Sequence, residues 1–281
     1  MNNEDFDTLS SLVRERSGLV LARDKTYLLE SRLLPVARKW RKKSLADLAA
    51  ALRGRPDADL VREVVEAMTT NESFFFRDIK PFEQFKSFVL PQLVRARAAQ
   101  KTLRIWSAAC SSGQEPYSLA MILNEQRAQL AGWRIEIVAT DLSTEILEKA
   151  QAGLYSQFEV QRGLPIQLLV KYFKQQGDRW EIDEGIRRMV QFRPFNLLDD
   201  MSQLGRFDVV FCRNVLIYFD QPTKAAVLGR IGRQMALDAY LYLGGAETVL
   251  GISDRLQPVP ENRGIYSLAA APVALAKAAV G

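Results

Sequence analysis

The sequence predicts an α/β fold: a Rossmann-like domain built on a doubly wound parallel sheet, carrying a small antiparallel β-subdomain and preceded by an all-α N-terminal domain. Three observations predict it. Apolar residues recur at helical spacing, with no strand pattern, through the first seventy or so positions. Strand and helix patterns then alternate, which implies a parallel sheet covered on both faces. The stretch Ile105–Met121 reads as an apolar strand, a Ser/Gly turn and a helix start, the ligand corner of a doubly wound domain.

The elements follow in order. Phe6, Leu9, Leu12 and Val13 share one helix face; Leu28, Leu29, Leu33 and Val36 share another, with Pro35 predicting a break. A third helix starts at Ser44 with Leu45, Leu48 and Leu52. A fourth starts at Asp57 with Leu60, Val64, Val65 and Met68, beyond a Gly54/Pro56 separator. These make a helical domain over residues 1–70. Residues 71–101 form a linker segment and helix, with Asp78 as its expected cap, Phe82, Phe85, Val89 and Leu93 as its apolar face, and a basic connector Arg95–Lys101. Strands are expected at Leu103–Ala109, Ile135–Thr140, Met189–Pro194, Phe207–Cys212 and Ala239–Leu243, and helices at Tyr117–Gln129, Ser143–Ala150 and Pro222–Met235, within a domain spanning 102–270. Short β-type runs parted by Gly177-Asp178 and Asp183–Gly185 predict the β-subdomain over 172–195. The Ala-rich tail, 271–281, is expected to be frayed or loosely helical.

Composition narrows the chemistry. With 281 residues, 48% hydrophobic and 25% charged, the chain reads as a soluble globular protein. It has no apolar run long enough for a membrane span, and its acidic start does not resemble a signal segment, so a cytoplasmic location is expected. Two cysteines, Cys110 and Cys212, suit a reducing compartment and read as small buried residues without a base partner. There is no histidine, which removes Ser–His and Cys–His nucleophile pairs and His-ligated metal sites. The net charge of +5 is locally concentrated at Arg32, Arg38, Lys39, Arg41, Lys42 and Lys43. That run is either a solvated helix end or an electrostatic patch for an acidic partner.

Two carboxylates define the expected site. Glu115 stands beside Pro116 in the first helical turn after Gly113, where an acid suits the helix dipole but repels the phosphate such a corner usually accepts. Asp141 ends the second strand, placed either to accept ribose hydroxyls or to cap the next helix with Ser143. A dinucleotide site asks for G-x-G-x-x-G, and only Gly113 is present. S-adenosylmethionine carries a sulfonium and an ammonium and no phosphate, so it suits one glycine and a nearby carboxylate better.

The chain resembles the CheR family of chemotaxis receptor methyltransferases. The resemblance is carried by N71-E-S-F-F-F-R-D78, A108-A-C-S-S-G-Q-E-P-Y-S118, A139-T-D-L-S143, F195-N-L-L-D199 and F207-D-V-V-F-C-R-N-V-L-I-Y-F-D220, in order over most of residues 1–270. It implies an S-adenosyl-L-methionine-dependent enzyme that esterifies glutamate side chains and releases S-adenosyl-L-homocysteine. By that similarity Asn71, Ser73 and Arg77 reach the cofactor from the linker; Ser73 stands where the family usually has Thr, keeping the hydroxyl. Glu115 and Asp141 hold the amino group and the ribose, Asn196 and Leu197 flank the adenine, and Arg213 with Asn214 closes the methionine side. Arg77 and Tyr218 are the expected catalytic positioning groups, Tyr218 with a plain core role as its alternative, as for Leu197 and Phe74–Phe76.

A glutamate carboxylate is already ionised at neutral pH, with a pKa of about 4.3, so no general base is needed, in keeping with a histidine-free chain. The enzyme must align the reactants and strip water from the nucleophile. The implied partners are the cytoplasmic methylation helices of chemoreceptors, steered by the basic run on the N-terminal domain. The short Gly177-Asp178 turn points away from a tether to a receptor's C-terminal pentapeptide. Two other classes compete. A nucleic-acid methyltransferase is motivated by the pI, but the chain lacks an N/D-P-P-Y/F segment and aromatics interleaved with the basic run. A non-catalytic scaffold would be expected to lack Arg77, Glu115 or Asp141. No nucleic acid and no membrane insertion are expected.

Overall fold

The computed structural model describes residues 2–269. The N-terminal helices are α1 (Asn3–Ser17), α2 (Thr26–Lys39), α3 (Leu45–Leu52) and α4 (Ala58–Met68). The starts expected at Ser44 and Asp57 are real caps, their side chains accepting backbone N–H groups of Asp47 and of Asp59 and Leu60. Asn2, not among the expected starts, caps α1 through the Asp5 N–H. Their apolar faces close a core of their own, in which Leu9, Val13, Leu29, Leu33, Leu48 and Val64 are fully buried. Pro35 does not break the second helix: α2 runs through it. Proline removes one backbone hydrogen bond, but it faces solvent here, while buried Leu29, Leu33, Val36 and Ala37 anchor the helix on both sides of it.

The linker leads into α5 (Lys80–Gln84), one π-helical turn over Phe85–Val89, and α6 (Leu90–Ala96). Asp78 is not its cap. Phe76, Asp78 and Ile79 all have positive φ, so the chain turns sharply and the helix starts at Ile79 without a side-chain cap.

The second domain contains β1 (Thr102–Ala108), α7 (Gln114–Glu125), β2 (Arg134–Asp141), α8 (Thr144–Ala152), β3 (Leu154–Ser156), α9 (Gln157–Gln161), α10 (Ile166–Tyr172), β4 (Phe173–Gln176), β5 (Arg179–Ile182), α11 (Glu184–Arg187), β6 (Val190–Pro194), β7 (Phe207–Cys212), α12 (Gln221–Gln234), β8 (Met235–Leu243), β9 (Leu256–Pro258) and β10 (Ile265–Leu268). Its seven-stranded sheet has the order β6-β2-β1-β7-β8-β10-β9. The strands from β6 to β8 are parallel, and β10 and β9 extend the sheet antiparallel. Alternation along β1 feeds both faces: Leu103 and Ile105 enter one core, Trp106 and Ala108 the other. Ala108 pairs with both Thr140 and Cys212. The carboxyl ends of β1, β2 and β7 are therefore level, and whatever follows each of them gathers on one rim. That rim is also where the chain order reverses across the sheet, the place where ligands bind in this architecture.

The antiparallel appendage differs from its expected span. Its three strands are ordered β3-β5-β4, and β4–β5 is the hairpin turned by Gly177-Asp178. The third strand, β3, comes from upstream. The Ile186 segment is the short helix α11, and Val190–Pro194 leaves the appendage to pair parallel with β2. The Ala-rich tail lies outside the described residues.

Candidate active site and cofactor cleft

The turn after β1 is pinned at every step. Ala109, Ser111 and Gly113 take positive φ values of 57°, 51° and 91°, a conformation that costs a non-glycine residue about 1–2 kcal/mol. The strain is offset by hydrogen bonds. The Cys110 N–H donates to Thr140 O at 2.9 Å, the Ser111 N–H to Asp141 Oδ2 at 2.8 Å, and the Ser111 hydroxyl to Asn71 O at 2.8 Å. Tyr155 reaches over from the appendage to donate to Ser112 O at 2.8 Å. A side chain at Gly113 would be strained: φ is 91°, and a Cβ there would stand 3.1 Å from both Ala150 Cβ and the Tyr117 ring.

Glu115 then points back towards the strand ends. Its Oε1 accepts from the Ser107 hydroxyl at 2.8 Å and its Oε2 from Arg213 Nη1 at 3.0 Å. Burial pushes the Glu115 carboxyl above its ordinary range, opposed by Arg213 and by the Ser107 hydrogen bond. The Arg213 side chain is only 1% exposed. Its Nη2 donates to Arg77 O at 2.9 Å and to Asp78 Oδ2 at 2.7 Å, and its guanidinium lies 5.7 Å from the centroid of the Phe82 ring. Asp78 thus serves Arg213 rather than a helix N-terminus. Arg213 Nε is buried without a partner among the described residues.

Asp141 supports the start of the next helix and the turn after β1. Its Oδ1 accepts the Ser143 N–H at 3.1 Å while Ser143 caps α8, and Oδ2 holds Ser111. Asp141 lines the cleft, and a carboxylate can accept more hydrogen bonds than these two. Burial raises the Asp141 carboxyl, against the Ser143 and Ser111 amides that favour the ionised form. Cys110 and Cys212 are both buried, and burial lifts both thiols well above their ordinary range.

Glu115, Asp141, Arg213 and Cys110 line one open cleft. From the linker come Asn71, Ser73 and Arg77; from the strand ends Glu115, Asp141, Arg213 and Asn214; from the segment after β6 Asn196 and Leu197; and Tyr218 completes it. All the expected site residues are therefore brought together, although their bonds differ in purpose. The Asn196 amide is committed to the helical domain, donating to Arg16 O at 2.6 Å. Arg77 donates to Glu72 O at 2.8 Å, with its guanidinium 5.6 Å from the Phe74 ring. Arg162 covers the same ring at 4.3 Å. Phe75 is fully buried core.

Several lining residues carried no signal in the sequence. Ser17 and Leu19 enter the cleft from the end of α1, where Leu19 forms an antiparallel bridge with Phe219. The left-handed Gly18 marks a helix stop in the sequence, but not what that stop faces. Outside the lining, Glu247 accepts the Asn214 N–H at 2.8 Å, and no motif announces it. The basic run is split. Arg32 is spent on Met68 O, Thr69 O and Thr70 Oγ1, and Lys39 on Glu63. Arg38, Arg41 and Lys43 face solvent.

The donor set fits S-adenosylmethionine. Two buried carboxylates favour a cationic ligand, Asp141 has capacity left for hydroxyls, and the unpartnered Arg213 Nε offers a donor for a carboxylate. A phosphate at this corner would meet Glu115.

Comparison with known proteins points the same way. Residues 71–265 match the family model described as CheR methyltransferase, SAM binding domain, and residues 4–69 match CheR methyltransferase, all-alpha domain. The chain is 42% identical over 267 residues to Chemotaxis protein methyltransferase Cher2 of Pseudomonas putida, covering 94% of this chain and 97% of that protein. It is 43% identical over 267 residues to Chemotaxis protein methyltransferase 1 of Pseudomonas aeruginosa, with 94% and 97% covered. The protein named Chemotaxis protein methyltransferase from Vibrio parahaemolyticus is 37% identical over 268 residues, with 94% and 96% covered.

Proposed function

This chain belongs to the CheR family of S-adenosylmethionine-dependent methyltransferases, and from that premise we propose that it esterifies glutamate side chains in the cytoplasmic methylation helices of chemoreceptors. The products are glutamyl methyl esters and S-adenosyl-L-homocysteine. The observation that carries the reading is the meeting of Glu115, Asp141 and Arg213 on one rim with the linker residues Asn71, Ser73 and Arg77.

Bound in the cleft, S-adenosylmethionine supplies an electrophilic methyl on a sulfonium. Glu115 takes the ammonium end and Asp141 the ribose hydroxyls. Leu197 gives the adenine an apolar wall beside Asn196, and Asn71 and Ser73 close the linker side. Arg213 and Asn214 hold the methionine end. Arg77 and Tyr218 face the acceptor: a guanidinium and a phenol can orient a carboxylate without taking its proton, because the carboxylate arrives ionised. Arg77 is already half-committed to Glu72 O and Phe74, which keeps its pairing with the acceptor weak enough not to blunt the nucleophile.

The acceptor helix is acidic, and Arg38, Arg41, Lys42 and Lys43 supply the field that draws it to the helical domain. The short β4–β5 turn supports recognition without a C-terminal pentapeptide tether, and measurable binding of such a peptide would overturn that part. Among the described residues no helix is long and apolar enough to cross a membrane; the site of action proposed is the cytoplasm. The test is transfer of radiolabelled methyl from S-adenosylmethionine to receptor-bearing membranes. Base-labile label is expected; base-stable label would rule out an ester, and absence of label would leave a scaffold.

A further inference from the structure

The loop after β7 carries the cleft residues Arg213, Asn214 and Tyr218, and its shape is held by a side chain outside the cleft. Glu247 follows β8 and is 9% exposed. Its Oε2 accepts the N–H groups of Asn214 at 2.8 Å and Gly244 at 2.7 Å. Its Oε1 accepts those of Val215 at 3.0 Å and Ile217 at 3.2 Å. Four backbone donors on one carboxylate use its full accepting capacity, so nothing is left for a ligand or for proton transfer.

The loop needs such a clamp. Asn214 is held at φ 59°, a left-handed conformation uncommon for a residue with a side chain. The amides of Val215 and Ile217 open a single 3₁₀ turn, Leu216–Tyr218, whose first N–H groups have no partner within the turn. Gly244 allows the close approach. A Cβ there would stand 2.8 Å from both Asn214 Nδ2 and Glu247 Oε2, and 2.9 Å from Asn214 N. The clamp thus joins the ends of two neighbouring strands, β7 and β8, directly beneath the cleft residues.

We propose that Glu247 is a positioning residue for methyl transfer, holding Asn214 and the Tyr218 turn in the conformation the reaction requires. The inference rests on the methyl-transfer reading above. A glutamine in its place has the same shape but turns an amino group towards two of the four N–H donors, so the loop must shift. Displacements of about an ångström cost on the order of 100-fold in rate when they reach reacting groups.

The test compares E247Q and G244A with I231A, which truncates a fully buried side chain of α12 and serves to calibrate lost stability alone. Each protein is assayed at a temperature where circular dichroism shows it folded. E247Q and G244A are expected to lower kcat at least about tenfold and to weaken S-adenosylhomocysteine binding by calorimetry about tenfold, with KM for receptor within about threefold of wild type. I231A should melt lower yet bind and turn over as wild type. Folded E247Q and G244A with wild-type kcat and affinity would overturn the proposal, as would an I231A protein that loses both to the same degree. Should E247Q fail to fold, G244A, which keeps the carboxylate, decides alone. A wild-type protein that neither binds S-adenosylhomocysteine nor labels receptor would sink the underlying reading instead.

Discussion

The two walls of the cleft are fastened in different ways. The sheet wall holds left-handed Ser111 and Asn214 with buried carboxylates, Asp141 and Glu247, and locks Arg213 against Glu115. The helical wall rests on the Leu19–Phe219 bridge, the Val20 N–H to Tyr218 O at 2.9 Å, Asn196 on Arg16 O, and Glu66 on Ser143 and Thr144. Its ion pair, Arg14 with Asp220, leaves the arginine side chain 61% exposed. An exposed pair contributes at most about 1 kcal/mol, whereas breaking a buried one costs about 3–5 kcal/mol. The sheet side of the cleft is therefore the more firmly fastened wall, and the helical cover is held by weaker contacts.

Removing Glu115 should have the largest effect. E115A removes one of two carboxylates paired with a guanidinium that is 1% exposed, leaving Asp78; denaturant titration is expected to show a loss of about 1–3 kcal/mol for the orphaned donors, and S-adenosylhomocysteine binding should fall below detection. Wild-type affinity in a folded E115A protein would place recognition elsewhere. D141A comes next. It leaves the Ser111 and Ser143 amides without acceptors at about 1–3 kcal/mol each, and calorimetry should show affinity reduced about 100-fold, with D141N in between.

Acidification gives a smaller, graded effect. Burial raises the Glu115 and Asp141 carboxyls, so as pH falls from neutral they protonate before ordinary carboxylates do. A cationic cofactor needs them ionised, and its dissociation constant should rise by up to about tenfold per pH unit per group. For the ligand-free protein the sign reverses. The folded state binds these protons more tightly than the unfolded chain, so their unfavourable contribution, full above the raised pKa values, fades as pH falls towards the ordinary carboxylate range. Affinity measured across pH for wild type and E115Q would isolate the Glu115 part; identical curves would break the assignment.

The cover should be cheap to weaken. R14A combined with N196A is expected to raise the S-adenosylhomocysteine dissociation constant only about three- to fivefold, through faster release in stopped flow. An effect as large as that of E115A would reverse the comparison between the walls. Smallest is charge reversal at Arg38, Arg41 and Lys42. KM for receptor should rise a few-fold at low salt and converge with wild type at high salt, kcat unchanged.

What the sequence made legible follows from how far each signal acts. Parallel strands are continuous apolar runs, so Phe207–Cys212 is found at its true bounds. Leu256–Pro258 and Ile265–Leu268 are short strands at the antiparallel end of the sheet without an intervening helix, and they pass unnoticed. The hairpin at Gly177-Asp178 is local and visible; its third strand, Leu154–Ser156, lies some twenty residues upstream and is not. The same holds in the site. Glu115 and Asp141 can be read because corner chemistry is written next to strand ends. The acceptance of Arg213 by Asp78, or of four amides by Glu247, depends on which loops meet, and only register and strand order decide that.

The linker has a consequence for inheritance. Asn71 takes the Ser111 hydroxyl and Arg77 takes Arg213, so this segment completes the floor of the cleft although it enters from the helical side. The two family matches divide between residues 69 and 71, on the helical side of both contacts. Recombination at that seam exchanges a cover while the catalytic half keeps its own lip. A cut ten residues later would graft one lineage's arginine onto another's floor.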